Sequence, residues 1–427
     1  MYKMLFFLGQ KWRNPSMRKW FHWLKITEKW SVEELEQHQF KKLQEITHLA
    51  YQHSKFYKKY YDDNHFHPNE LKSHSDISKI PILSKKLLLE NVADIHTNIR
   101  FKKSFKATTS GSSGTTLQFN RDESADSFNR ASKWRGYSWY GVQPWEYSGY
   151  FWGFNFSAIA KIKTRILDLF QNRFRVFTYE DFEIKKLVQK FQRAIYISGY
   201  SSMIYETAKI INTKRELKPN GIKLVIGTSE KIFDSYQDEV KKAFGVKLSS
   251  EYGATETGII GFECKEGNVH INMEGVIAEE INHEIIVTNL IMQSFPIIRY
   301  QLGDYIQLAS KEKICTCGMN HRIIDEITGR IGEIIYGEKQ LYPSLYFYYI
   351  FKNLAKQQIN LNYLVIQKEK GHLIFHIEQK INGHEIECIQ NEIKKYFFDD
   401  VKYTIFDNSF PKEANKKFSS FISYLKA

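Results

Sequence analysis

The sequence predicts an α/β protein with a large N-terminal domain and a small C-terminal domain, and three observations support this. Its 427 residues exceed what one hydrophobic core usually serves. Hydrophobic residues make up 42% of the chain, enough for such cores, and its 8 prolines are too few for long disordered tracts. Finally, residues 222–249 carry the pattern of a strand, a helix and a second strand, the order of a β-α-β unit.

The first predicted long helix follows Ser31. Ser31 and Glu34 have the spacing of a capping box. The apolar residues after them recur at helical intervals: Leu35, Phe40, Leu43, Ile46 and Ala50. Further along, Pro81 lies between short apolar runs in residues 76–85, a pattern that predicts a turn leading into the next helix.

The β-α-β unit consists of a buried strand at 222–226, a helix opened by residues 227–230 and ended by Gly245, and a strand at 246–249. Ligands of such sheets collect at the carboxyl ends of strands. We therefore expect residues 227–230 and 251–258 to lie at a binding site.

The predicted secondary-structure pattern changes after the β-α-β unit. Residues 276–308 predict short strands, including 284–290 and 297–300, and hence a β-rich subdomain. Beyond Arg330, apolar segments at 361–366 and 372–377 precede a helical stretch at 384–397. The predicted domains are therefore 1–330 and 331–427, the first α/β with its β-rich subdomain and the second small and α+β.

The formal net charge of +13 favours anionic partners without choosing among them. No nucleic-acid motif is present, so nucleic acid is not an expected partner and a solvated positive face is the simpler interpretation. A weaker hypothesis is that the basic N-terminal stretch touches anionic membrane. No apolar run approaches the roughly 20 residues of a membrane span, and the first apolar stretch is too short for a secretion signal, so we expect a cytoplasmic protein. Nothing indicates an oligomeric state.

Residues 108–116 read Thr-Thr-Ser-Gly-Ser-Ser-Gly-Thr-Thr. Glycines let backbone N–H groups approach an anion, and hydroxyls add donors without bulk, so this loop can grip polyphosphate. It is not a Walker loop, because that motif requires a lysine directly after its second glycine and this chain has a threonine there. A flexible linker is equally compatible with the composition. The candidate phosphate-binding residues are Ser110, Gly111, Ser112, Ser113, Gly114, Thr115 and Thr116.

The cysteines form a separate pattern that does not suit extracellular disulfides. Three thiols and one imidazole can form a closed structural zinc site, here from Cys264, His270, Cys315 and Cys317. His321 is a spare ligand, and four ordinary residues without metal is the alternative.

Four separated motifs, in order, resemble those of the adenylate-forming enzymes, most closely the phenylacetate-CoA ligase-like branch, which includes capsular-polysaccharide biosynthesis proteins. The motifs are the lead-in and phosphate loop (80–85 and 109–115), the adenine-site signature (251–258), the ribose-site segment (296–304) and the Gly329-Arg330 hinge. The resemblance extends from about residue 35 to 418. It implies that the small C-terminal domain is mobile and that the active site lies in the cleft between the domains.

The resemblance also implies the site residues. Tyr252 would stack on adenine, Thr255 would hydrogen-bond the α-phosphate, Glu256 would ligate Mg²⁺ and Asp304 would accept both ribose hydroxyls. The phosphate loop would hold the β- and γ-phosphates. The remaining nucleotide-binding candidates are Ser229, Glu230, Glu251, Gly253, Ala254 and Arg330.

The catalytic lysine of this family follows a proline and several residues. Counting from Pro411 selects Lys416, with Lys417 as the alternative; Asn415 replaces the usual glycine. At the hinge, Gly332-Glu333 replaces paired acidic residues and puts the second half-reaction in doubt.

The expected activity is that of an AMP-forming carboxylate ligase, using ATP and Mg²⁺ to convert a small carboxylic acid to an acyl-adenylate. CoA is the leading acceptor. The alternatives are an amine or hydroxyl of a glycan or its precursor, and a degenerate nucleotide-binding protein without turnover.

Overall fold

The computed structural model describes residues 1–109, 116–152, 158–177, 181–213, 218–330, 334–411 and 420–425. The helices are α1 Tyr2–Arg13, α2 Met17–Thr27, α3 Val32–His53, α4 Lys55–Asp63, α5 Lys85–Glu90, α6 Val92–Ile95, α7 Glu123–Trp139, α8 Ala158–Phe170, α9 Asp181–Arg193, α10 Ser201–Asn212, α11 Asp234–Phe244, α12 Leu345–Lys356 and α13 Gly383–Phe397. Short 3₁₀ turns cover Pro68–Glu70 and His74–Lys79.

The strands alternate with these helices in the first half of the chain and cluster in the second. They are β1 Ser104–Thr108, β2 Gln118–Asp122, β3 Ser148–Phe151, β4 Arg173–Val176, β5 Tyr196–Tyr200, β6 Leu224–Thr228, β7 Leu248–Ala254, β8 Gly258–Glu263, β9 Val269–Ile271, β10 Val276–Ile281, β11 Glu284–Asn289, β12 Tyr300–Leu308, β13 Ile323–Arg330, β14 Ile334–Tyr336, β15 Leu341–Pro343, β16 Tyr363–Glu369, β17 His372–Ile377, β18 Lys402–Phe406 and β19 Phe421–Ser423. The predicted α/β class is confirmed.

Two compact units are assembled from separate stretches of chain. Unit 1 comprises Met1–Ser148, Thr164–Phe174 and Ser249–Ile327. Unit 2 comprises Gly149–Lys163, Arg175–Leu248 and Thr328–Ala427. The boundary at residue 330 that the sequence predicts between two domains stays a prediction. Within the described residues, no helix is both long and apolar enough to cross a membrane.

Unit 1 contains the strand order β10-β11-β12-β13-β9-β8-β7 and the separate β1-β2 hairpin. Neighbouring strands such as β10 and β11 pair antiparallel, with Val276 opposite Asn289. Its core includes large side chains with at most 1% exposure, among them Leu24, Leu35, Leu43, Tyr57, Phe295 and Tyr300. The same core includes Phe119 of β2, Tyr252 of β7 and Tyr300 of β12, strands that flank or carry three of the predicted motifs.

Helix α3 forms as the sequence predicts. The Ser31 hydroxyl accepts a hydrogen bond from the Glu34 backbone, and the Glu34 carboxylate accepts one from the Ser31 backbone. These two contacts satisfy N–H groups that a helix start leaves without intrahelical partners. The predicted apolar face packs inward, with Leu35, Leu43, Ile46 and Ala50 buried and Phe40 partly buried.

The strands predicted at 222–226 and 246–249 lie instead at Leu224–Thr228 and Leu248–Ala254, and two other predicted bounds are wrong at residues with a left-handed backbone conformation. Helix α11 begins only at Asp234, since Ser229 has a φ of +67° and the N-cap residue Phe233 is extended. The strand predicted at 297–300 starts instead at Tyr300, since Arg299 has a φ of +47°. Positive φ angles are incompatible with both a right-handed helix and a strand.

Unit 2 contains the parallel pair β5 and β6, in the order β6-β5-β3-β4, and a four-stranded sheet in the order β18-β17-β16-β19. In that second sheet β16 and β17 are antiparallel, whereas β18 and β19 join them in parallel. Helices α12 and α13 cover it with aromatic side chains, such as Phe351 stacked 3.7 Å from Tyr363 between ring centroids. The strands and helix predicted between residues 361 and 397 are present.

Candidate active site

The Ser/Gly/Thr run joins the two strands of a hairpin, a feature that the sequence does not predict. Thr108 on β1 lies opposite Gln118 on β2. Thr109 and Leu117 close the hairpin: the Thr109 N–H donates to the Leu117 carbonyl and the Leu117 N–H donates to the Thr109 hydroxyl, both at 2.9 Å. The candidates at 110–115 lie outside the described residues, and Thr116 is exposed.

The adenine-site signature is a second hairpin, between β7 and β8, with Ala254 opposite Gly258. Gly253 and Gly258 are required because there is no room for a Cβ atom at either position. A Cβ on Gly253 would lie 2.4 Å from the Gly258 carbonyl oxygen. Gly258 has a φ of +80°, and a Cβ there would lie 2.3 Å from the Asn129 side-chain oxygen. Any larger residue at either position would displace the turn that carries Thr255 and Glu256.

Side chains that sequence reasoning missed fix this turn. The Arg121 guanidinium, on β2, donates to the Thr255 carbonyl. Asn289 donates to the Thr257 carbonyl at 2.8 Å, and Asn129 accepts from the Ile259 N–H at 2.9 Å. Burial lowers the pKa of Arg121, with Asp126 opposing that shift. These arginine and asparagine residues belong to no recognised motif, so nothing in the sequence marks them as part of the site.

Tyr252 and Asp304, the predicted adenine and ribose residues, are in direct contact. The Tyr252 hydroxyl donates to Asp304 Oδ2 at 2.9 Å. Tyr252 is 9% exposed on β7, and Asp304 is half-buried on β12. Nearby, the Tyr300 hydroxyl donates to Glu256 Oε1 at 3.4 Å. Unit 1 thus brings together residues from the signature and from the ribose-site segment.

Glu251 at the start of the signature is buried and ion-paired. Its carboxylate lies 3.3 Å from the Lys133 ammonium of α7. The pair links the signature strand to α7. Ala254 ends that strand and is half-buried beside Thr255.

The lead-in to the loop is bonded to the ribose-site segment. The Leu83 N–H donates to the Arg299 carbonyl at 3.0 Å, and the Gln301 N–H donates to the Leu83 carbonyl at 2.9 Å. The buried Arg299 guanidinium also donates to the carbonyls of Ser78 and Ile80 and pairs with Glu279. These bonds fix the position of the strand that carries Asp304.

The remaining predicted site residues lie elsewhere. Ser229 and Glu230 are in unit 2, after β6, where the Glu230 carboxylate accepts from the Ser202 N–H in the first turn of α10. Arg330 ends β13 directly after Gly329, whose φ is +97°. Lys416 lies outside the described residues.

The four candidate zinc ligands come together in unit 1. Their ligand atoms all lie within 4.8 Å of one another. The Cys264 and Cys315 sulfurs are 3.6 Å apart, and the Cys317 sulfur is 3.3 Å from His270 Nε2. A tetrahedral zinc with ordinary bond lengths requires separations of about 3.8 and 3.6 Å for these two pairs. The residues therefore fit the metal in number and chemistry, and these two separations are within about 0.3 Å of the required ones.

Contacts behind the cluster support the same conclusion. His270 Nδ1 is 3.1 Å from the His321 carbonyl oxygen, the contact that orients a metal-binding imidazole through its other nitrogen. Tight turns at Cys264 and at Cys315–Gly318 present the sulfurs, with backbone bonds from Gly267 to Cys264 and from Gly318 to Cys315. The ring of His321, the spare ligand, lies against Glu274 instead, at 3.0 Å.

Comparisons with known proteins agree with this architecture. The solved structure of 2-hydroxyisobutyryl-CoA ligase with 2-HIB-AMP, in its postadenylation state, superposes with a TM-score of 0.68 over 93% of this chain and 91% of that one, at 16% sequence identity. The same ligase in an open conformation with 2-HIB-AMP and CoA gives 0.59 over 92% of each chain, at 14% identity.

Among curated proteins, CapK of Staphylococcus aureus is 31% identical over 134 residues, which make up 30% of this chain and 29% of CapK. No family model matches the chain. The solved structures cover nearly the whole chain, as the ordered motifs do. The chain therefore has the fold of 2-hydroxyisobutyryl-CoA ligase.

Proposed function

We propose that this protein activates a carboxylic acid with ATP, forming an acyl-adenylate and releasing pyrophosphate. The observation that carries the proposal is the Tyr252–Asp304 hydrogen bond, which joins the adenine-site and ribose-site motifs at 2.9 Å. The lead-in at 80–85 forms hydrogen bonds with the ribose-site segment, and Arg121, which follows the phosphate loop, donates one to the adenine-site signature. The lead-in, the adenine-site signature and the ribose-site segment are therefore linked by hydrogen bonds within unit 1, which supports the proposal.

In the proposed reaction a substrate carboxylate oxygen forms a bond to the α-phosphorus of ATP. The bond from that phosphorus to the bridging oxygen breaks, and its electron pair leaves with pyrophosphate. The Tyr252 ring would lie on adenine. Asp304 would accept hydrogen bonds from the ribose hydroxyls while still accepting one from the Tyr252 hydroxyl. These residues orient the α-phosphorus for attack.

The remaining groups would stabilise negative charge. Donors of residues 110–116 would bind the β- and γ-phosphates, and Thr255 would donate to the α-phosphate. Glu256 is a half-buried carboxylate on the signature turn, the donor type that Mg²⁺ prefers. When bound there, Mg²⁺ supplies neutralising charge at phosphate oxygens. Lys416 would add a positive charge near the α-phosphorus.

We propose CoA as the acceptor of the acyl group, since solved proteins of this fold include a ligase with bound CoA. The alternative acceptor, an amine or hydroxyl of a glycan or its precursor, is favoured by the similarity to CapK and by the altered hinge at Gly332-Glu333. The two acceptors require the same first step.

The test is pyrophosphate release with ATP, Mg²⁺ and a panel of aryl, fatty, amino and sugar acids, with and without CoA. We expect release with at least one class of acid. Lys416→Ala should abolish release while ATP still binds, whereas Lys417→Ala should retain release; the reverse result would assign the catalytic role to Lys417. No release with any acid would favour a nucleotide-binding protein without turnover, and an acyl product made without CoA would remove the CoA-ligase assignment.

We also propose that Cys264, His270, Cys315 and Cys317 hold a structural zinc ion. The set provides four protein ligands, which leaves no coordination position for substrate, as in structural sites. Its role would be to join the turn after β8 to the turn before β13.

A further inference from the structure

Helix α1 directs apolar side chains into solvent. Met4, Leu8 and Trp12 are 62, 58 and 80% exposed, and Met1, directly before the helix, is 81% exposed. Their spacing of three and four residues aligns them on one side of the helix. We call these four side chains the α1 stripe. Over the 12 residues of the helix it is about 18 Å long, at 1.5 Å per residue.

The opposite side of α1 is attached to unit 1 through cations and aromatic rings. The Lys3 ammonium lies 5.3 Å from the centroid of the Trp145 ring, and the Arg13 guanidinium lies 4.2 Å from that of Phe105. Phe6 packs edge-on against Trp145 at 5.8 Å. The apolar residues of α1 therefore do not all face the protein, as they usually do on a surface helix, because the α1 stripe faces outward.

The outward alignment of these apolar side chains makes the stripe an interaction surface. Single exposed apolar residues are common on proteins, but an aligned row of large ones marks a site that another surface covers. The helix is held in this orientation by its inner contacts, so the exposure of the stripe is a property of the fold.

The charge around the stripe indicates which surface covers it. Residues 1–29 contain seven Lys or Arg residues and a single acidic residue, Glu28, which pairs with Lys25. Lys11, Arg18 and Lys19 are exposed on α1 and α2. Apolar side chains that include a tryptophan, combined with excess basic charge, suit the interface of an anionic membrane.

We propose that α1 docks this protein on an anionic membrane surface. The stripe enters the headgroup region, where Trp12 has the amphipathic ring that such interfaces favour. Lys11, Arg18 and Lys19 contact the lipid phosphates. This inference does not depend on the proposed enzymatic function.

The experiment is co-sedimentation of the full chain with vesicles of phosphatidylcholine alone or mixed with phosphatidylglycerol. We expect binding to the mixed vesicles at low salt, weakened at high salt. Leu8→Ser/Trp12→Ser should reduce binding at least tenfold. The control Leu341→Ser/Tyr424→Ser removes side chains that are 59 and 62% exposed elsewhere and should bind as the parent does.

A second variant, Lys11→Glu/Arg18→Glu/Lys19→Glu, retains the stripe and should lose the preference for phosphatidylglycerol. Absence of parent binding at low salt would overturn the proposal, as would equal binding by the Leu8/Trp12 variant. A dimer in sedimentation velocity that this variant dissociates, without vesicle binding by the parent, would assign the stripe to a second copy of the chain instead.

Discussion

The buried residue Glu274 shows how strongly single side chains are constrained in unit 1. It is 0% exposed, pairs with Arg135 and accepts from the Thr27 hydroxyl at 2.6 Å. Arg135 also donates to Asn272 at 2.7 Å. Burial alone would raise the pKa of Glu274, but the charges of Arg135 and His321 outweigh it and hold the pKa well below 4.5. The Glu274 carboxylate is therefore ionised, and the Arg135 guanidinium compensates its charge.

Glu274→Gln should lower the free energy of unfolding by about 3–5 kcal/mol, because the Arg135 charge would stay buried without its partner. Urea denaturation measures this, with the exposed Glu266→Gln as control. Since the folded pKa of Glu274 is lowered, its contribution is complete above the ordinary pKa and is lost as the pH falls toward the folded one. A change below 1 kcal/mol at neutral pH would contradict the prediction.

Tyr252→Phe tests the contact between the adenine and ribose residues. The variant keeps the ring and loses the hydrogen bond to Asp304, worth about 0.5–1.5 kcal/mol. We expect the KM for ATP to rise about two- to tenfold, because about 1.4 kcal/mol corresponds to a factor of ten, with kcat nearly unchanged. Pyrophosphate-release kinetics provide both constants. Tyr51→Phe, which removes an exposed hydroxyl contact to Asp62, is the matched control.

Residues within motifs could be predicted from the sequence, whereas their supporting residues could not. Tyr252 and Asp304 were selected by the resemblance, and the structure places them together. Arg121 and Arg299 act through contacts with carbonyl groups far along the chain. Such contacts depend on tertiary packing, which no local pattern encodes.

At the scale of elements, the four candidate zinc ligands lie on two turns and on the strand between them. Cys264 follows β8 and Cys315 precedes β13, while His270 lies on β9 between those strands. Strand β9 pairs with both neighbours. A zinc ion would therefore fasten the ends of three adjacent strands.

Purified protein should contain one zinc ion per chain by elemental analysis, and chelation should lower its Tm. Cys317→Ala should lose the metal, because zinc then has three protein ligands. Cys388→Ala, on α13 and outside the cluster, is the control and should keep it. Full thermal stability after complete zinc removal would contradict a structural role.

Element prediction succeeded where local signals agree and failed where single backbone angles decide. The capping box and apolar spacing predicted α3, and the observed helix ends at His53. The left-handed Arg299 shortened a predicted strand, because an apolar run contains no signal for φ. The β1-β2 hairpin was missed, since the Ser/Gly/Thr run suggested a loop but not the pairing of its flanks.

At the scale of the whole molecule, residues after 328 pack within unit 2 against α10 and α11. Glu378 accepts from Tyr205 at 3.2 Å and from Asn362 at 2.6 Å, and it pairs with Lys209. Phe233 packs edge-on against Tyr363. The resemblance predicts that residues 331–427 move as a domain, and such motion would have to break these contacts.

Glu378→Ala should make that motion easier. Loss of these hydrogen bonds weakens the contact by about 1–2 kcal/mol, so cleavage by trypsin after Arg330, at the predicted hinge, should accelerate about five- to thirtyfold. Limited proteolysis with mass spectrometry measures the rate. Glu369→Ala removes an exposed carboxylate from the same sheet as control. An unchanged cleavage rate in a variant with lowered Tm would argue against a hinge there.

The bonds between the lead-in and the ribose-site segment also determine when the site can form during synthesis. Arg299 lies 219 residues beyond its partner Ile80. After Ile80 has been synthesised, the ribosome would need roughly 10 to 45 seconds to reach Arg299, at about 5–20 residues per second. Until then the lead-in has none of these bonds. The nascent chain would thus emerge with its phosphate loop made early and its nucleotide site completed late, an interval in which chaperones have access to the unpaired strands.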